Sequence, residues 1–148
     1  MPLTGLTPIL NVSDIAASLA WFESLGWKRG FTWNEAGMIP AAADVNDAGP
    51  ATFGSVACGE CEIFLCRGAQ GSRDGRLPQF PGDDDTGGVW MSWWFAKPEE
   101  VDALHQLALE RNLTVTWPPT DEPWGVREFH LRHPDGHTFR VGAGFEET

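Results

Sequence analysis

The chain has 148 residues, 42% hydrophobic and 21% charged, a balance that suits one domain with a real core and excludes disordered and fibrous classes. A formal charge of −11 argues against nucleic acid, whose phosphates need clustered Lys and Arg; the same field would concentrate a cationic small molecule or simply keep the protein soluble. No run approaches the ~18–20 apolar residues of a membrane span, the first residues read as no secretory leader, and three cysteines make no disulfide framework, so a reducing cytoplasm is expected.

In chain order, residues 6–12 read as a short strand, after which Ser13-Asp14 supplies a helix N-cap. The helix runs over 15–25, with Ile15, Leu19 and Phe22 at helical spacing, and Gly26 ends it. A second strand covers 27–33, and residues 34–50, rich in Ala, Gly, Asn and Asp, read as loop. Strands 52–57 and 61–66 form a hairpin around Cys58-Gly59-Glu60. Residues 69–86 are a Gly, Pro and Asp linker between a first module, 1–68, and a second, 87–148.

The second module repeats the order. Residues 89–95 are a strand, and Pro98-Glu99-Glu100 opens a helix with Pro in the first turn and acids at the positive end of the dipole. Val101, Leu104, Leu107, Ala108 and Arg111 continue the helix, with Asn112 as C-cap. Strands over 113–117, 125–132 and 137–141 follow, the last two joined by a turn at His133-Pro134-Asp135-Gly136. Each module therefore reads β-α-β-β-β, an α+β arrangement whose two sheets can pair into one curved mixed sheet.

Eight tryptophans and no tyrosine set this chain apart, three of them within Val89-Trp90-Met91-Ser92-Trp93-Trp94-Phe95. Successive strand residues point to opposite faces. Trp93 therefore shares the core side with Met91 and Phe95, while Trp90 and Trp94 share the other, where a flat ligand is the leading occupant and self-filling or a subunit contact the alternative. Trp21 and Trp27 flank the first helix as packing or dimer contacts. His130, His133 and His137 resemble a metal cluster on paper, yet His133 and His137 bracket a turn and are expected to face solvent. His105 reads as a surface residue or partner contact of the second helix. Cys58 and Cys61 form C-x-x-C, but no second pair follows, and they span a turn rather than opening a redox helix. No phosphate loop, nucleophile elbow or paired-carboxylate motif is present.

The string from Pro123-Trp124-Gly125 through Arg127-Glu128-Phe129 to Pro134-Asp135-Gly136, with the opening Thr7-Pro8-Ile9-Leu10 and Asp14, Trp21-Phe22 and Leu25-Gly26, resembles the vicinal-oxygen-chelate superfamily of glyoxalases, extradiol dioxygenases and fosfomycin- and bleomycin-resistance proteins. Within it the similarity leans toward the bleomycin-resistance branch. The resemblance implies two βαβββ modules in one domain and a homodimer. Catalytic relatives hold a divalent metal with one side chain from each of four strands, and those positions correspond here to Thr7, Phe64, Trp90 and Arg140. Phe and Trp offer no lone pair for a metal and Arg never loses its charge, so no metal, cofactor or catalytic residue is expected. The expected function is non-catalytic sequestration of an aromatic, antibiotic-like molecule. The ligand-binding candidates are Phe31, Trp33, Glu62, Phe64, Trp90, Trp94, Trp124, Glu128 and Arg140, with Asp83, Asp84 and Asp85 bordering the cleft. Glu62 and Glu128 would meet a cationic ligand; Arg140 would bind an anionic ligand or neutralise one of them. The alternatives are a metal-dependent lyase or dioxygenase of the same superfamily, and a carrier of a biosynthetic intermediate.

Overall fold

The computed structural model describes residues 1–40, 43–46, 49–67 and 88–145. The chain divides into two compact units, Met1–Asp74 and Gly75–Thr148, each with one helix on one face of a mixed sheet. The linker acids Asp83, Asp84 and Asp85 lie outside the described residues.

The first unit runs β1 (Ile9–Asn11), α1 (Ile15–Ser24), β2 (Lys28–Asn34), β3 (Gly37–Met38), β4 (Phe53–Cys58) and β5 (Cys61–Cys66). Its sheet is ordered β1-β5-β4-β2-β3, with β1 parallel to β5 and the remaining pairs antiparallel. Asp14 caps α1 by accepting from the Ala17 amide at 3.0 Å, and Gly26, at φ +91°, takes the chain out of the helix. The helix buries Ile15, Leu19 and Phe22 against the sheet face that carries Val56, Ile63 and Leu65. The expected loop contains the two-residue strand β3, turned back on β2 where the Asn34 side chain accepts from the Ala36 amide and Gly37 sits at φ +127°.

The second unit runs β6 (Trp90–Trp94), α2 (Pro98–Glu110), β7 (Thr114–Glu122), β8 (Val126–Arg132) and β9 (Thr138–Gly144). Its sheet is ordered β6-β9-β8-β7, with β6 parallel to β9. Val101, Leu104 and Ala108 of α2 bury against the sheet face carrying Phe129, Leu131, Phe139 and Val141. Trp93 belongs to that core, stacked on Phe139 at 4.4 Å and 20° between planes. Two strands outrun their sequence reading. β9 continues through Gly142-Ala143-Gly144, whose side chains carry almost no hydrophobic signal. β7 continues through Pro118-Pro119 because it is the outermost strand of its sheet, where the missing amides interrupt no ladder, and its register shifts on both sides of Trp117. No described helix is long and apolar enough to cross a membrane.

The expectation of solvent-facing histidines at the β8–β9 turn is corrected: His133 and His137 are 1% and 5% exposed. The physical reason is that both rings serve the backbone of the turn. His133 Nδ1 accepts from the Asp135 amide at 3.0 Å, and His137 Nδ1 accepts from the Val89 amide at 3.1 Å. Burial pushes the His133 imidazole down to about 4, His137 pushes it the same way, and Asp135 opposes them. The unfolded chain protonates this group near 6.5, so between that pH and about 4 the unfolded state holds more protons and stability falls as pH drops. Urea unfolding should therefore show the wild type losing about 2–3 kcal/mol more than His133→Gln between pH 7 and pH 4. Equal losses in the two proteins would remove His133 as the cause.

Candidate functional site

Strand alternation places a second set of side chains on the sheet face turned away from each helix. In the first unit this outer face carries three phenylalanines. Phe31 stacks on Phe53 at 5.8 Å and 10°, and Phe64 meets both, at 5.5 Å from each. Ser55 supports the group from below, its hydroxyl accepting from the Phe31 amide at 3.1 Å. Trp33 pairs with Phe53 across the strands and stays 40% exposed; Glu62, two residues from Phe64, is exposed beside the hairpin. The structure thus gathers Phe31 and Phe64, adds Phe53, which the sequence reading did not single out, and leaves Trp33 and Glu62 at the margin.

The outer face of the second unit is built from β6, β9, β8 and β7. Cross-strand register sets Trp90 beside Thr138, Ser92 beside Arg140 and Trp94 beside Gly142. One strand further, His130 pairs with Arg140 and Glu128 with Gly142, and Trp117 of β7 pairs with His130. The indoles are unburied: Trp90 is 50% exposed, Trp94 66% and Trp117 45%. The His130 ring lies between two of them, 5.5 Å from Trp90 and 6.1 Å from Trp117 by ring centroids. Trp124, in the β7–β8 turn ahead of Gly125 at φ +81°, is 60% exposed. It makes no ring contact with this group among the described residues.

Beneath the rings lies a single charged fork. Glu128, 2% exposed, accepts from Arg140 Nε at 2.8 Å and from Arg140 Nη2 at 2.9 Å, and His130 Nε2 stands 3.2 Å from the same carboxylate. Burial alone would raise the Glu128 carboxyl, but the fork from Arg140 and the contact with His130 outweigh it and hold the group below its ordinary value. The same hydrogen bonds raise Arg140. Of the two roles open to Arg140, neutralising Glu128 is realised, and Glu128 is no longer free to meet a cationic ligand. Glu122, the other carboxylate near Arg140, accepts from the Trp117 indole N–H at 3.1 Å.

These residues do not suit a divalent metal. The positions at which catalytic relatives would coordinate one carry Thr7, Phe64, Trp90 and Arg140, which supply no carboxylate or imidazole. The nearest His–Glu pair is closed by a guanidinium. Among the described residues no three His, Cys, Asp or Glu gather as a metal-binding group. Thiol chemistry has no better support: Cys58 and Cys61 close the β4–β5 hairpin as exposed free cysteines, and burial followed by the neighbouring Cys61 pushes the Cys58 thiol up, away from the reactive thiolate.

The glyoxalase/bleomycin resistance protein/dioxygenase superfamily model matches residues 5–141. The chain belongs to that superfamily. No curated protein matches it. Among solved structures, a glyoxalase/bleomycin resistance protein/dioxygenase domain from Frankia sp. EAN1pec is 18% identical, with TM-score 0.66 over 97% of this chain and 100% of that one. A lactoylglutathione lyase from Agrobacterium tumefaciens is 16% identical, with TM-score 0.63 over 97% and 96%. The fosfomycin resistance protein FosX from Listeria monocytogenes is 14% identical, with TM-score 0.63 over 98% and 96%. At such identities the superfamily's common fold is what is shared.

Besides Phe53, two residues of the second unit's face escaped the sequence reading, Trp117 and His130 as a wall rather than a ligand donor. Trp117 was legible only as the end of a strand before Pro118-Pro119; its place opposite His130 depends on the register shifts of β7. Replacing Arg140 by Met leaves the buried Glu128 charge without its fork. Because Arg140 is 39% exposed, the expected cost is about 2–3 kcal/mol, below the 3–5 typical of a fully buried pair. Denaturation at pH 7 and pH 5 checks it: the loss should be larger at pH 7, since protonating the orphaned carboxyl relieves it, and Glu128→Gln on top should recover part.

Proposed function

We propose that this superfamily member binds a flat aromatic small molecule on the tryptophan-lined outer face of its second unit and releases it unchanged. The observation that carries the proposal is the pair Trp90 and Trp94, half or more exposed on one strand with only Ser92 between them on that face. Four residues of strand span about 13 Å. That is too far to sandwich a single ring, and it fits a molecule of several fused or linked rings lying along β6.

Magnitudes support the reading. A ligand covering both indoles removes about 300–500 Å² of apolar surface from water, counting both sides. At about 25 cal/mol per Å² that is about 8–12 kcal/mol gross, with stacking adding about 0.5–1.5 per ring pair. Association costs at least about 4 kcal/mol. Micromolar affinity, about 8 kcal/mol, is therefore within reach only if both rings contribute.

The donor chemistry of the face supports binding over turnover: among the described residues its carboxylates Glu128 and Glu122 are already engaged. Similarity in fold to a lactoylglutathione lyase and to a fosfomycin resistance protein leaves open a metal-assisted reaction, but the donors here speak against it. Resistance by sequestration is the role proposed, in a homodimer as the resemblance implies and in the reducing cytoplasm that the cysteine usage suggests; sedimentation of the purified chain tests the dimer.

A thermal-shift panel of DNA-active aromatic antibiotics should yield at least one compound that quenches tryptophan fluorescence and is recovered chemically intact. Stoichiometric metal in protein purified without chelators, together with conversion of the ligand, would end the proposal. Trp90→Ala should weaken binding by about 1–3 kcal/mol. Trp124→Ala should weaken it by a similar amount while shifting stability by less than about 0.5 kcal/mol, as expected of an exposed clamp and not of a packing staple.

A further inference from the structure

The charged side chain in register with Ser92 on the tryptophan face is a cation. Arg140 stands beside Ser92 in the β6–β9 register, between the rows of Trp90 and Trp94. Glu128 occupies the Nε and Nη2 edge of its guanidinium. The remaining corner, Nη1, takes no hydrogen bond among the described residues, and the side chain is 39% exposed. Its neighbours keep that corner accessible: Ser92 is small, and Gly142, next along β9 on the same face, has no side chain.

Among the described residues, the two acids near this point are both engaged. Glu128 is closed by Arg140 and His130, and Glu122 accepts from the Trp117 indole. Arg140 stands on the strand next to β6, level with Ser92, and the Glu128 fork sets the plane of its guanidinium, so a ligand across Trp90 and Trp94 lies alongside the strand that carries this cation.

Resting on the stacking reading above, we infer that the ligand class is a planar aromatic carrying an anionic or strongly accepting oxygen, an aryl carboxylate or phenolate, with Arg140 as the residue that selects it. The chain's charge of −11 points the other way, toward cations. At physiological ionic strength, however, charges beyond about 8 Å are largely screened, so a guanidinium in contact outweighs distant carboxylates. The long-range field slows the arrival of an anion; the local contact decides what stays.

Three anthracene probes of one size test this on the full chain by calorimetry: anthracene-2-carboxylate, 2-acetylanthracene and 2-(aminomethyl)anthracene as its ammonium. The carboxylate should bind at least about tenfold tighter than the ammonium, with the ketone between, a gap of about 1.4 kcal/mol or more. In Glu128→Gln/Arg140→Met, which leaves no orphaned charge, the ranking should collapse while the ketone still binds within about threefold of wild type. Equal or tighter ammonium binding by the wild type overturns the inference alone, as does a carboxylate preference surviving in the double variant. Failure of all three probes to bind overturns the stacking reading with it. The wild-type ranking decides the matter unaided if the double variant does not fold.

Discussion

The constraint on which everything else depends is the two-residue period of a strand under a single covering helix. In the second unit Phe129, Leu131, Phe139 and Val141 are all buried to 0% exposure against α2. That fixes the parity of β8 and β9, because a slip of one residue would turn every one of those side chains outward and bring Glu128, His130 and Arg140 under the helix. The apolar face is therefore not negotiable, and the chemistry of the other face follows from which residues stand at the alternate positions. In the first unit Val56, Ile63 and Leu65 impose the same parity, so Phe64 must face away from α1.

What the alternate positions of the second unit hold is a charge pair that consumes itself. A carboxylate as buried as Glu128 survives only if its oxygens are occupied, and Arg140 does this with two parallel hydrogen bonds. The fork has two consequences. It removes the acid from any role in proton transfer or metal coordination, and it orients a guanidinium whose third corner points elsewhere. Membership of a superfamily that includes lyases and dioxygenases fixes the fold and leaves the activity to the site. At this site, among the described residues, the carboxylates are tied to other side chains and the exposed groups beside them are rings.

How much of this was legible depended on whether local signals and tertiary demands agreed. The Asp14 cap, the end of α1 at Gly26, the Pro98 start of α2 and the inward parity of Ile63 and Leu65 all follow from rules acting within a few residues. So did the separation of Trp93 from Trp90 and Trp94, which needs only alternation. The histidine turn was misread because polarity predicts exposure, whereas His133 and His137 are held inside by bonds from backbone amides that no sequence window displays. Trp117 was hidden by its prolines, whose usual meaning is a strand end; only the outermost place of β7 makes them harmless. The Glu128–Arg140 fork joins residues twelve apart, and the sequence offered Glu62 as an equal partner until the β8–β9 register placed Glu128 within reach.

The two outer faces, although both aromatic, are not equivalent, and the difference bears on where a ligand acts. In the first unit Phe31, Phe53 and Phe64 lie at ring-contact distances from one another and are only partly exposed. Much of their apolar surface is already out of water, so a guest gains little by covering them. In the second unit the one ring contact of Trp90 among the described residues is an edge-on one with His130, and Trp94 stands 66% exposed. Large apolar rings left in water have no packing reason to be there, since smaller or polar residues would serve the outer face of a strand at no cost to the core. An indole is also the side chain whose flat area and N–H let it hold an aromatic partner in more than one orientation. On the proposed reading, the face that has not satisfied its own rings is the one that receives the ligand, and Arg140, one strand in from Ser92, supplies the direction that stacking alone lacks.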